Sequence, residues 1–208
     1  MHIQLTNAGK RFNRDWIFRH FNYQFNAGHS YAITGSNGSG KSTLLQVIAG
    51  SMDASEGKVE FGSASIQYSP DDVFKQVSLV APYLEVIEEM TAAEFLHFHA
   101  SFKPLLPAVS VEEVINIIGL QAAAGKQIRF FSSGMRQRIK LAQAIFADMP
   151  VLLLDEPCTN FDAAGYALYK QLIQNYCSHK LIIVSSNDIH EYDFCSEQIS
   201  IADYKNAY

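Results

Sequence analysis

The nine residues Gly35-Ser36-Asn37-Gly38-Ser39-Gly40-Lys41-Ser42-Thr43 constrain this chain more than any other stretch. They fit G-x-x-x-x-G-K-[ST], a loop that cradles phosphate. The flanks supply the context the pattern needs. Tyr31-Ala32-Ile33-Thr34 reads as a short apolar strand, Leu44-Leu45-Gln46-Val47-Ile48-Ala49 as a helix, and Gly50 suits the helix end. Glycine has no Cβ, so such a loop can press its backbone N–H groups against phosphate oxygens. The helix N-terminus adds partial positive charge. Lys41 is placed to reach the β- and γ-phosphates, and Ser42 to ligate Mg²⁺.

The rest of the chain alternates strands with helices. Residues 3–6 and 16–18 read as short strands around the polar turn Asn13-Arg14-Asp15. Residues 21–25 alternate aromatic and polar, the period of a half-buried strand. Residues 58–61 and 66–68 suggest another pair, so a small antiparallel sheet is expected from these N-terminal pieces. Residues 76–81 read as a buried strand stopped by Pro82. Thr91-Ala92-Ala93-Glu94 is a capping box that opens a helix. A second helix opens at Ser110 and closes near Gly119, and Ser132-Ser133-Gly134 precedes a long amphipathic one. Val151-Leu152-Leu153-Leu154 has the continuous apolar character of a central parallel strand. Residues 163–176 suit a helix, 181–184 a buried strand and 188–195 a final short helix. The pattern predicts an α/β fold in one domain over 1–208: a P-loop NTPase core with a parallel sheet and an N-terminal antiparallel β subdomain.

Composition narrows the function classes. Hydrophobic residues make up 48% and charged residues 18%, a globular balance. The net charge is −5 with no long basic run, so no nucleic-acid partner is expected. The longest apolar runs, 151–154 and 181–184, are strand-length, which predicts no membrane span. The N-terminus lacks the basic and apolar regions of a signal peptide. Cys158, Cys177 and Cys195 are odd in number and far apart, which reads as reduced thiols in the cytosol and no metal set. His97 and His99 are two apart on a predicted helix, so they face different sides and read as packing or surface residues. Glu88-Glu89 reads as a solvated pair.

Asp155 and Glu156 form the second constellation. A buried aliphatic strand fixes the backbone before them, so the acids emerge where a ligand of the sheet would lie. Asp155 is placed to hold Mg²⁺ and Glu156 to polarise an attacking water.

Taken with Leu152-Leu153-Leu154-Asp155-Glu156-Pro157, the stretch Phe131-Ser132-Ser133-Gly134-Met135-Arg136-Gln137-Arg138 resembles the nucleotide-binding subunit of an ABC transporter. The resemblance runs from Ile3 to about Ile201. In it, residues 35–43 match the Walker A loop, Ser132-Ser133-Gly134-Met135 resembles the signature motif, and Asn160-Phe161-Asp162 resembles the D-loop. Phe12 falls where the family often stacks an aromatic on adenine. The resemblance implies an inserted helical subdomain at about 83–130, and ATP and Mg²⁺ as cofactors. It also implies a head-to-tail dimer with a second copy, in which Ser132, Ser133 and Gly134 of one copy face the γ-phosphate held by the other. A separate transmembrane permease would be touched near Tyr83. The chain would then be cytoplasmic and peripheral on the inner face of the cell membrane, with the cargo chosen by the permease.

Three positions depart from the family pattern. Tyr83 stands where the family has a glutamine, and a phenol lacks an amide's donor and acceptor pair. Ser133 stands at a glycine-like signature position. Asn187 stands where the family has a histidine; it can donate to a γ-phosphate oxygen but cannot carry charge. These changes are expected to slow turnover more than binding. Losing one well-placed transition-state donor costs roughly 3–4 kcal/mol, about 10²–10³ in rate. An ATPase that powers transport is the leading reading. An ATP-dependent dimerising regulatory module with little hydrolysis is the alternative. A small-molecule kinase would not carry the signature stretch.

Overall fold

The computed structural model describes residues 1–63, 66–107 and 109–205. In chain order the elements are β1 His2–Phe12, β2 Asp15–Asn26, β3 Ser30–Thr34, α1 Lys41–Ile48, β4 Glu56–Gly62, β5 Gln67–Tyr68 and β6 Val77–Val80. Then come α2 Ala92–Ala100, α3 Val111–Ile117, α4 Ser133–Ile145, β7 Val151–Asp155, α5 Ala163–Tyr176, β8 Leu181–Ser185, α6 Ile189–Tyr192 and β9 Glu197–Ser200. The chain divides into two compact units: Met1–Leu79 with Pro150–Glu156 and His179–Tyr208, and Val80–Met149 with Pro157–Ser178.

The first unit holds both sheets. One has the order β2-β1-β4-β5, with β1–β2, β1–β4 and β4–β5 antiparallel. The other has the order β6-β7-β8-β3-β9, in which β7–β8, β8–β3 and β3–β9 are parallel. All five residues of β7 and of β8 are buried, as strands covered on both faces require.

The sequence predicts two strands in residues 16–25, whereas β2 is continuous. Phe18 and Phe21 are three apart, a spacing that a regular strand turns to opposite faces. His20 between them takes φ 54°, and both rings enter the core, edge to face at 6.1 Å. Each such burial is worth about 1.5–3 kcal/mol, enough to offset one left-handed residue. The sequence pattern does not predict the edge strand β9. Its Glu-Gln-Ile-Ser buries only Ile199, too little apolar pattern to read. The last helix spans four residues, Ile189–Tyr192, not the eight expected from 188 to 195.

The second unit is helical. The predicted capping box at Thr91 forms and a second one forms at Ser110: Glu94 N donates to Thr91 Oγ1 at 3.3 Å, and Glu113 N to Ser110 Oγ at 3.2 Å. The returning bonds run from Thr91 N and Ser110 N to the two carboxylates at 2.8 and 2.7 Å. These backbone donors hold both glutamates below the usual carboxylate range. His97 is exposed, 3.7 Å from Glu112. His99 is turned inward, its Nδ1 has no hydrogen-bond partner among the described residues, and burial lowers its pKa to about 4.

Glu88 keeps 40% of its side chain exposed and also forms an ion pair that the sequence does not predict. It accepts from Arg136 Nη1 at 2.9 Å, while Arg136 Nε donates to Phe131 O at 3.2 Å. A pairing across 48 residues leaves no trace in local pattern.

Candidate nucleotide site

The phosphate loop lies between β3 and α1, as predicted. Gly35, Gly38 and Gly40 take φ of 151°, 73° and 106°, a left-handed path closed to most side chains. A Cβ on Gly40 would collide with Ile17 Cγ2, whereas one on Gly38 would meet open space. Gly40 caps α1 with no side-chain bond, and the first turn holds no acid. The leading N–H groups of the helix are thus left for an anion. Lys41 is 5% exposed and reaches back across the loop, donating to Gly35 O at 2.9 Å and Ser36 O at 3.3 Å. Ser39 N closes a turn on Ser36 O at 3.0 Å, and the Ser39 hydroxyl is buried beneath it.

The carboxylates stand in the same unit. Asp155 ends β7, is 2% exposed, and accepts from Ser185 Oγ at 2.7 Å, which leaves its other oxygen for a further partner. Glu156 takes φ 43°, and its N–H donates to Ser185 O at 2.9 Å. That single left-handed residue turns the chain out of the strand. A cleft of about 240 Å³ is lined by Asn37, Gly38, Gly40, Lys41, Ser42, Thr43, Glu156 and Ile17. Asn187 joins the loop directly: its Nδ2 donates to Asn37 Oδ1 at 2.6 Å. Phe12 is 47% exposed at the end of β1, under Lys10 Nζ at 5.4 Å, and is not among the residues lining the cleft. Ile17 and Ser185 were not singled out in the sequence. Ile17 has no polar atom to mark it, and Ser185 is one serine among many.

The second unit gathers another set. Ser132 caps α4, accepting from Met135 N at 3.3 Å, and the helix begins at Ser133. The Ser132 hydroxyl keeps its proton to donate elsewhere. The first turn of α4 carries no acid. A Cβ on Gly134 would meet only Asn160 O, at 3.7 Å. Ser132, Ser133 and Gly134 share a cavity of about 430 Å³ with Asn160, Phe161 and Asp162. Asp162 is committed to capping α5, accepting from Gly165 N at 2.8 Å. Buried Gln137 ties α4 to the chain after the carboxylates, its Nε2 donating to Pro157 O at 2.6 Å. Tyr83 is 47% exposed.

A family model described as ABC transporter matches residues 18–159, well over half the chain. The chain belongs to the ABC transporter ATP-binding family. Among curated relatives, the cytochrome c biogenesis ATP-binding export protein CcmA of Rhizobium etli is 32% identical over 193 residues, covering 89% of this chain and 87% of that protein. A putative ABC transporter ATP-binding protein from Pyrococcus furiosus superposes with a TM-score of 0.83 at 17% identity, covering 99% of this chain and all of that one. A dimeric ATP-binding cassette in a post-hydrolysis state, bound to ADP and Pi, superposes with a TM-score of 0.80 at 23% identity, over 95% and 93% of the two chains. These two solved structures bear on the fold alone.

As an ABC cassette, the chain is a nucleotide-binding ATPase subunit of a transporter. No helix among the described residues is long and apolar enough to cross a membrane.

Proposed function

We propose that this cassette binds ATP with Mg²⁺ on the phosphate loop, pairs head-to-tail with a second copy, and uses hydrolysis to power a separate membrane permease. The observation that carries the reading is the cleft that unites Lys41, Ser42 and Glu156. Ser42 and Asp155 offer hard oxygens of the kind Mg²⁺ takes, with phosphate and water completing its shell. When bound, the ion neutralises charge on the β- and γ-phosphates. Lys41 and the loop N–H groups hold the phosphates. Glu156 polarises the attacking water, and Asn187 donates to a γ-phosphate oxygen. Phe12 offers a ring for the adenine to stack on.

Ser132, Ser133 and Gly134 of the second copy supply hydroxyl and N–H donors at a helix N-terminus to the same γ-phosphate. The permease docks near Tyr83, and the cassette sits on the cytoplasmic face of the membrane. Turnover is slow, because neither Tyr83 nor Asn187 reproduces the group it replaces.

Steady-state ATP hydrolysis by the full-length protein and by Glu156→Gln tests this. The variant is expected to be slower by about 10²–10⁴, the usual contribution of a general base. Equal rates at background would contradict hydrolysis at this cleft.

A further inference from the structure

Asn37 makes a contact that phosphate binding does not require. The loop meets phosphate with backbone N–H groups, Lys41 and Ser42, so an amide side chain at position 37 is free for another task. Its Oδ1 accepts from Asn187 Nδ2 at 2.6 Å across 150 residues. The same side chain lines the cleft beside Lys41, Ser42 and Glu156. All of these residues lie in one compact unit.

The backbone around Asn187 is anchored on both sides. Ser186 N donates to Ile33 O at 3.2 Å, and Asp188 N donates to Ser186 Oγ at 2.9 Å. What the backbone does not fix is the terminal amide, whose χ2 is a broad, soft rotation. Asn37 fixes it. An amide nitrogen carries two protons. One goes to Asn37, and the second, with the oxygen, stays available to a ligand.

We infer that Asn37 is a positioning residue for hydrolysis: it holds the Asn187 amide in the orientation that lets its second N–H reach the γ-phosphate. The inference rests on the proposed role of Asn187 as a γ-phosphate donor. The bond lies at an exposed position, so its loss changes orientation more than it changes the fold.

The test is steady-state ATP hydrolysis by the full-length protein, with kcat and KM separated, for Asn37→Ala, Asn187→Ala and the double variant. Asn37→Ala is expected to lower kcat about 3- to 10-fold, the worth of one hydrogen bond, with KM for ATP nearly unchanged. Asn187→Ala lowers kcat at least as much, and the double variant is no slower than Asn187→Ala alone. Asn37→Asp keeps the acceptor but adds negative charge beside the triphosphate, so it retains most of kcat and raises KM. That split separates positioning from a general loss of loop structure, which would lower kcat in both Asn37 variants. An unchanged kcat in Asn37→Ala overturns the inference. So does an additive double variant, because Asn37 would then act independently of Asn187. If Asn187→Ala itself turns over at the wild-type rate, the donor role fails and takes the inference with it, an outcome distinct from additivity.

Discussion

Two helix N-termini in this molecule carry serine and glycine: α1, which follows Ser39-Gly40, and α4, which Ser132 caps and Ser133-Gly134 opens. At α1 the cap is Gly40 at φ 106° with no side-chain bond, and the lysine that opens the helix folds back over the loop. At α4 the cap is Ser132, whose oxygen already accepts from Met135 N. The first therefore has a cation, unsatisfied N–H groups, Ser42 and a nearby carboxylate in a single compact unit. The second has hydroxyls, an unhindered Gly134 and a helix dipole, while its Arg136 is engaged by Glu88 and its Arg138 by Ile118 O. In the proposed function the first set holds the phosphate, and the second adds donors to charge already held. The proposed function therefore makes holding the nucleotide and hydrolysing it separable tasks, the first complete in one copy.

Removing the cation has the largest expected effect. Lys41→Ala is expected to lower ATP affinity by more than about 100-fold in equilibrium titration, since a buried charge-assisted contact to phosphate is lost. Retained affinity would mean that the loop does not need its lysine. Next in size is Gly134→Asp. Its Cβ has room, and an acid in the first turn favours the helix, so the melting temperature should hold. Hydrolysis should fall by about 100-fold from repulsion of the γ-phosphate, while ATP titration of the single copy stays as in the wild type. Weakened binding in that variant would show that the two helix starts are not separable.

A smaller effect concerns acid sensitivity in the helical unit. His99 is held neutral by burial, with its pKa lowered from 6.5 to about 4. The unfolded chain takes up the proton first, so stability is full above pH 6.5 and declines as pH falls from there toward 4. Glu94 and Glu113, lowered by their capping bonds, contribute stability that is lost further down, as pH falls through the carboxylate range. Melting curves of His99→Leu should show a shallower loss between pH 6.5 and 5 than the wild type. An identical pH slope would remove His99 from the account.

Local chemistry made much of this legible in the sequence. The phosphate loop is a contiguous pattern with a mechanism, so its flanking strand and helix could be placed from it. The two capping boxes at Thr91 and Ser110 are local as well, and both form. Val151-Leu152-Leu153-Leu154 announced a central strand because nothing polar interrupts it. What escaped has no local signal. Ile17 lines the cleft through strand pairing, not through its own chemistry. Glu88 and Arg136 meet across 48 residues. Asn187 could be compared with a family histidine, but its bond to Asn37 depends on tertiary placement. Strand β2 looked like two strands because a left-handed His20 resets its alternation partway along.

Separable binding and hydrolysis lead to one direct measurement: light-scattering mass of Glu156→Gln with and without ATP and Mg²⁺. With hydrolysis blocked, nucleotide should hold two copies together, giving a mass near twice 23.2 kDa with ATP and a single-chain mass without it. Adding Gly134→Asp should return the ATP-loaded protein to the single-chain mass while it still binds ATP. A single-chain mass for Glu156→Gln under saturating ATP would contradict the account.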